Sequence, residues 1–320
     1  MNHPMVLVTG ASGFVGEAVI LRLLLDKKFI PIAAARSATN LHGLCAVVPF
    51  DLTDTRLMPT LDRVQVVIHA AARVHVMNEI ATDALAEFRK VNVEGTLRLA
   101  RHAAESGVSR FIFISSIKVN GESTVSGKPF KADDRPDPAD PYGVSKYEAE
   151  EALKQLGNTT GMEVVIIRPP LVYGPGVKAN FLSMLNWLNK GVPLPLGAIG
   201  NRRSLVAIGN LVDLIATCID HPAAANQTFL VSDGEDLSTT RLLQRLALAL
   251  GKKAWLLPVP EGVLKLAASI VGKQSVAQRI CGSLQVDISK NRELLGWAPP
   301  VNMDKAMRQT AGHYLDKHTK

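Results

Sequence analysis

The strongest constraint on the fold is a short apolar run at residues 6–9. It ends in Gly10-Ala11-Ser12-Gly13-Phe14-Val15-Gly16 and passes into helical spacing of apolar residues over 17–25. The pattern predicts strand, glycine turn, helix. Glycines at such a turn let backbone N–H groups at a helix start approach a pyrophosphate without Cβ atoms in the way. Further apolar strand candidates follow at 30–35, 46–50, 64–69, 110–115 and 164–168, with helix-like segments between most of them. Strands alternating with helices predict an α/β fold built on a doubly wound parallel sheet.

After Arg168, the run Pro169-Pro170-Leu171-Val172-Tyr173-Gly174-Pro175-Gly176 breaks regular structure and reads as a hinge into a second lobe. Residues 210–220 read as a helix returning to the first lobe. The expected division is a dinucleotide-binding domain of residues 1–169, joined by 207–235, and a smaller mixed substrate lobe of 170–206 and 236–320.

Composition narrows the class. Hydrophobic residues make up 47% and charged residues 20% of the 320, as expected of a sheet buried on both faces. Cys45, Cys218 and Cys281 lie far apart with no metal-ligand spacing, so no metal is expected and the thiols read as reduced, in a cytoplasm. The amino terminus lacks a charged n-region before an apolar run, which argues against a signal peptide. No stretch approaches the roughly 20 apolar residues of a transmembrane helix. The net charge of +7 suits a polyanionic substrate. Scattered basic residues without aromatic neighbours give no reason to expect nucleic acid.

Several motifs carry chemistry. The second strand ends in Ala34-Ala35-Arg36-Ser37, with no carboxylate to accept the adenosine ribose hydroxyls of NAD. Arg36 is placed to bond the 2′-phosphate of NADP, or is a solvated surface arginine. Asp51-Leu52 after the third strand is an adenine contact or a helix cap. Tyr142 and Lys146 stand four apart on a helix, which puts a phenol beside an ammonium. A phenol ionises near pH ~10, and a neighbouring positive charge is expected to bring it toward working pH. Residues 111–116 form a buried-strand pattern ending in Ser115 and Ser116, where ligands of α/β sheets sit. His69, before Ala70, Ala71 and Ala72, reads more readily as a satisfied core group than as a catalyst, and Asn92 as a packing or backbone-bonding residue.

Together these residues closely resemble the extended short-chain dehydrogenase/reductases, in the NAD-dependent epimerase/dehydratase group that acts on nucleotide sugars and contains UDP-glucose 4-epimerase. The glycine spacing G-x-x-G-x-x-G is that family's pattern, and the resemblance covers nearly the whole chain. It implies Ser116 as catalytic hydroxyl, Tyr142 as acid/base and Lys146 as the cofactor-binding lysine. Ser116 is chosen over Ser115 because it stands three places before Val119. The cofactor contacts implied are Gly10, Ser12, Gly13, Phe14, Val15, Gly16, Arg36, Asp51, Leu52, Ala70, Ala71, Ala72, Asn92, Tyr142, Lys146, Pro169 and Val172. The substrate contacts implied are His75, Ser116, Lys118, Asn120, Tyr142, Asn180 and Arg203, the last two at a sugar nucleotide's diphosphate.

Two departures sharpen the expected activity. Asn120 replaces the family's usual aromatic in Val119-Asn120-Gly121, and Ile117 and Lys118 replace the Asp-Glu pair of 4,6-dehydratases. Dehydration needs that extra acid and base, so it is not expected. Arg36 without an acidic neighbour favours NADP(H) over NAD(H). The activity this implies is an NADPH-dependent reductase of a UDP-linked 4-keto hexose, of the 6-deoxy-N-acetyl kind, in bacterial surface polysaccharide (O-antigen) synthesis. The alternative is a UDP-hexose 4-epimerase with retained NAD and, from another class, a non-catalytic NADP-binding sensor. The helices at 87–106 and 142–156 resemble the family's homodimer-forming pair, although their apolar stripes serve equally well against their own sheet.

Overall fold

A computed structural model of the chain describes residues 3–37, 39–74, 83–125 and 127–318. Its main sheet takes strands β1 (Met5–Thr9), β2 (Ile30–Ala35), β3 (Ala46–Pro49), β4 (Val64–His69), β5 (Arg110–Ile114) and β6 (Glu163–Arg168). Then β7 (Leu171–Tyr173) and β8 (Arg203–Ala207) leave it, β9 (Thr228–Leu230) returns, and β10 (Asp236–Leu237) pairs with β8. The seven-stranded sheet runs β3-β2-β1-β4-β5-β6-β9, and every pairing in it is parallel. The chain is therefore a Rossmann-like α/β protein with a small mixed sheet, in the order β10-β8-β7, beside it.

The expected strands match these bounds to within a residue at each end. Their composition explains why: Val66, Val67 and Ile68 are all buried, as are Phe111, Ile112 and Phe113. Such continuous apolar runs suit a sheet covered on both faces. Strand order reverses between β1 and β4, where Thr9 pairs with Ala34 on one side and His69 on the other. Ligands of open α/β sheets bind at the carboxyl ends of strands beside such a reversal.

The helices are α1 (Phe14–Asp26), α2 (Ala84–Arg89), α3 (Thr96–Glu105), α4 (Pro141–Thr160), α5 (Ala179–Asn189), α6 (Ile208–Asp220), α7 (Thr239–Ala249), α8 (Glu261–Ile270), α9 (Gln274–Cys281), α10 (Ser289–Leu295) and α11 (Met303–His318). On one face of the large sheet, Val19, Ile20 and Leu23 of α1 pack with Leu211, Leu214 and Ile215 of α6. On the other face, Leu99, Ala100 and Ala103 of α3 pack with Ala149 and Leu153 of α4. A third core joins β7 and β8 to α5, α7 and α11 through residues such as Phe181, Leu243 and Met307. Among the described residues, no helix is long and apolar enough to cross a membrane.

The helix expected over 87–106 is interrupted. Between α2 and α3, Lys90–Gly95 widens into a π-helical turn. The widened turn brings Asn92 inward, where it is 1% exposed and fully bonded, and such insertions are frequent at functional sites. Gly95 is fixed by contact, since a Cβ there would stand 2.7 Å from the Leu52 carbonyl oxygen. The apolar stripes of α3 and α4 face their own sheet.

Candidate active site

The glycine turn forms a cradle at the carboxyl end of β1. Gly10 has φ +67°, and a Cβ there would lie 2.7 Å from the Ala71 backbone nitrogen, so only glycine lets β1 and β4 end this close together. A Cβ on Gly16 would fall 2.2 Å from the Gly10 carbonyl oxygen, which fixes how tightly α1 can sit on the turn. Gly13 caps α1 with no side-chain hydrogen bond to its amides. Helix-start N–H groups without a side-chain cap carry partial positive charge and suit an anion. Ser12 and Gly13 are exposed at this mouth, while Phe14 and Val15 are half-buried. The residues present thus fit the pyrophosphate of a dinucleotide.

Helix α4 carries Tyr142 and Lys146, the candidates for proton chemistry. It begins where it does because Asp140 caps it, accepting from the Gly143 N–H at 2.7 Å, and because Pro141 occupies the first turn. Tyr142 and Lys146 follow in its first two turns. Tyr142 packs edge-on against Phe88, with ring centroids 5.9 Å apart. Ser116, the cap of a 3₁₀ turn at Ile117–Val119, reaches the phenol of Tyr142 and favours its ionised form. Ser115 points elsewhere, donating to Glu150.

Lys146 is 2% exposed, and its ammonium donates to the Ile114 carbonyl at 2.9 Å and lies 4.3 Å from the Phe113 ring centroid. Burial lowers its pKa to about 7, with Glu150 opposing the shift. The phenol of Tyr142 is pushed up to about 12 by burial and by Asp140. Lys146 was expected to bring the phenol toward working pH; in the cofactor-free chain its ammonium is directed at a carbonyl and an aromatic face, and desolvation of the phenol dominates.

Behind these groups stands a buried polar network. His69 bonds Thr9 Oγ1 at 2.6 Å and Thr96 Oγ1 at 2.9 Å, and burial lowers its pKa to about 3. It is a satisfied neutral core residue. Asn92 donates to Ser145 Oγ at 3.0 Å, and Ser145 donates to the Tyr142 carbonyl at 2.8 Å. Asn92 also exchanges hydrogen bonds with the Arg73 backbone. This chain ties the π-helical turn to the start of α4. Glu150 and Arg168 form a buried ion pair, with Arg168 Nη2 to Glu150 Oε2 at 2.5 Å. Sequence reasoning singled out neither in this role, although Tyr142, Lys146 and Glu150 share a four-residue spacing that puts them on one helix face.

The remaining candidates are distributed unevenly. Ala70, Ala71 and Ala72 line the end of β4 and are half-buried, with the Ala71 N–H donating to Thr9 Oγ1 at 3.4 Å. Pro169 is buried and its carbonyl accepts from Ile117, while Val172 lies half-buried in β7. Arg36 is exposed at the end of β2, near enough to Asp51 to help hold that carboxyl below its usual range. The larger causes of that lowering are the backbone N–H and hydroxyl of Thr53. Leu52 is buried and its carbonyl accepts from Arg98.

On the substrate side, Lys118 is bound to Asp140 and to Glu122, the latter at 2.9 Å. Burial works against its ammonium, but these carboxylates outweigh it and raise the pKa. Asn120 is 2% exposed and committed to Arg168 and the Lys131 carbonyl. Its amide thus braces the buried ion pair, where the family's pattern has an aromatic. Arg203, half-buried at the start of β8, donates to the carbonyls of Arg279 and Gly282 at 2.8 and 3.0 Å. Asn180 is exposed on the first turn of α5. His75 lies outside the described residues.

A glycine cradle and a Ser-Tyr-Lys cluster thus stand at one end of a doubly wound sheet. Residues 6–232 match the NAD dependent epimerase/dehydratase family. The chain belongs to that family. A UDP-glucose 4-epimerase from Vibrio cholerae is 50% identical over 317 residues, covering 98% of this chain and 97% of that protein. An N-acetyl-alpha-D-glucosaminyl-diphospho-ditrans,octacis-undecaprenol 4-epimerase from Escherichia coli O157:H7 is 26% identical, covering 95% of this chain and 93% of the other. Among solved structures, UDP-glucose 4-epimerase from Thermotoga maritima with UDP-glucose superposes with a TM-score of 0.78 at 24% identity, over 99% of this chain and 100% of that one.

These likenesses overturn the expected 4-ketoreductase. The Vibrio cholerae relative, at half identity over almost the whole length, is a 4-epimerase. The reductase expectation rested on Arg36, one exposed side chain at a strand end, which is too little to set against a full-length match. What stands is an enzyme of the NAD-dependent nucleotide-sugar epimerase/dehydratase family.

Proposed function

We propose that this protein is a UDP-hexose 4-epimerase, working through Tyr142, Ser116 and Lys146 beside a dinucleotide held on Gly10, Gly13 and Gly16. The observation that carries the proposal is the half-identical full-length relative named as a UDP-glucose 4-epimerase, taken with a proton carrier, Tyr142, within reach of Ser116. In this reading a bound nicotinamide supplies the acceptor, and then the donor, of the hydrogen on sugar C4. Tyr142 moves the other proton, taking it from the C4 hydroxyl and returning it to the same oxygen after the sugar presents its opposite face. Ser116 orients that oxygen, and Lys146 holds the nicotinamide ribose and adds positive charge near the phenol. The phenol, pushed up to about 12 with Lys146 already in place, needs the positive charge of an oxidised nicotinamide to act as a base at neutral pH.

The finer assignments belong to the same proposal. Arg203 and Asn180 serve the diphosphate of the UDP-sugar, Ala70 to Ala72, Pro169 and Val172 wall the cofactor, and Asn92 acts from behind the wall by holding the start of α4. NAD(H) is the cofactor assigned. Arg36, with its guanidinium at the surface, adds an affinity for the 2′-phosphate of NADP(H) that can be measured separately. Homodimer formation through α3 and α4, a cytoplasmic location and a role in surface polysaccharide complete the reading, the first testable by sedimentation.

The test is to incubate the purified protein with UDP-glucose, and separately with UDP-galactose, with a trace of NAD and no reduced cofactor. The expected result is that either substrate yields the same mixture of both sugars by NMR. Failure to interconvert these and the N-acetylated pair would overturn the proposal.

A further inference from the structure

Helix α8 leaves its apolar positions open to solvent. A helix on a protein surface buries its apolar stripe and shows its polar one, yet none of the residues of α8 is buried. Val263, Leu266 and Ile270 follow the helical repeat and are 54%, 64% and 78% exposed. Val271 and Val276 extend the exposed apolar surface toward α9, which packs against α8. Trp255 and Leu257, on the segment leading into α8, are also exposed. An apolar surface of this extent on one part of a molecule marks an interaction site.

The charge around it indicates the partner. Between residues 251 and 282 the chain has Lys252, Lys253, Lys265, Lys273 and Arg279 against one acidic residue, Glu261. All five basic residues are exposed. That one segment supplies more than half of the net +7 of the whole chain. Glu261, whose carboxylate accepts from the Gly200 N–H at 3.1 Å and from Lys265 at 3.4 Å, offsets only one of the five. An exposed apolar helix face in a lysine-rich segment, with a tryptophan close by in the chain, matches the chemistry of an anionic bilayer surface: acyl chains for the stripe, phosphates for the lysines and an interface for the indole. A second copy of the chain would bring the same positive charge against itself, which disfavours self-association through this face.

We propose that α8 and α9 form a membrane-docking face, laying the Val263-Leu266-Ile270 stripe into the headgroup layer of an anionic bilayer. The face is linked to the candidate substrate site through Arg203, which donates to the carbonyls of Arg279 and Gly282. Docking would therefore hold that site at the membrane surface.

Flotation of the full chain with phosphatidylglycerol vesicles and with phosphatidylcholine vesicles tests the proposal, with sedimentation run in parallel. The protein is expected to rise with the anionic vesicles, to stay behind with the neutral ones, and to be released by salt. Lys252→Glu with Lys253→Glu should weaken partitioning by about fivefold or more per lysine. Leu266→Glu with Ile270→Glu should weaken it by about tenfold or more. These side chains are exposed, so thermal unfolding should be unchanged in both variants. Absence of binding to phosphatidylglycerol vesicles would overturn the proposal. So would a Leu266→Glu/Ile270→Glu variant that binds vesicles like the parent but sediments as a smaller species, because the face would then join two copies of the chain.

Discussion

Two cations are buried equally deeply near the candidate site, and they are treated in opposite ways. Arg168 is 2% exposed and saturated: it bonds both oxygens of Glu150, the Asn120 amide and the Ala132 carbonyl. Lys146, also 2% exposed, has one carbonyl and an aromatic face. The cost of burying a charge is met at Arg168 by a carboxylate, and the pair holds β6 to α4. At Lys146 the cost is only partly met, and burial has lowered the ammonium's pKa to about 7. Completeness of partnering, more than depth of burial, separates the structural cation from the one proposed to function.

The largest effect should appear at the group Lys146 serves. Tyr142→Phe removes the transferable proton but keeps the ring against Phe88. Turnover should fall about 10²–10⁴-fold with cofactor binding and unfolding midpoint retained. Steady-state rates within tenfold of the parent would remove Tyr142 from the role assigned to it. On the other side of the comparison, Arg168→Met leaves Glu150 buried without its partner, and urea unfolding should show a loss of about 3–5 kcal/mol. A loss near that of an exposed pair would mean that the ion pair does not hold the fold as argued.

The third effect concerns pH. The ordinary pKa of a lysine is 10.5, and that of Lys146 in the folded chain is about 7. Between those values the unfolded chain takes up a proton that the folded one resists. Stability of the cofactor-free protein should therefore rise with pH from about 7 to 10.5, and Lys146→Met should flatten that part of the profile. An unchanged slope in the variant would show that Lys146 does not titrate in this window. The smallest effect is expected at the surface. Arg36→Asp should weaken NADP(H) by about tenfold, as for the loss of a charged hydrogen bond, and leave NAD(H) little changed. Equal effects on both cofactors would place Arg36 away from the 2′-phosphate.

This contrast also explains what could be read from the sequence. Residues with strong local signatures were legible: apolar runs gave the strands, Gly10 and Gly16 the turn, and the four-residue spacing of Tyr142 and Lys146 a shared helix face. The Glu150–Arg168 pair was not, because its partners come from α4 and β6 and no local pattern links them. The π-helical turn at Lys90–Gly95 was hidden for a similar reason, since Asn92 is drawn inward by partners distant in sequence, Arg73 and Ser145. The activity was misread where one side chain, Arg36, was asked to decide between two reactions that share a site. A reductase and an epimerase need the same Ser, Tyr and Lys, and differ only in where the hydrogen on C4 ends up.

That fate is open to direct measurement. UDP-glucose carrying deuterium at C4 should be converted by the protein, with only a trace of NAD, to UDP-galactose that keeps the deuterium at C4, and no cofactor should be consumed. Stoichiometric oxidation of NADPH against a 4-keto sugar, with no interconversion of the UDP-hexoses, would contradict the account.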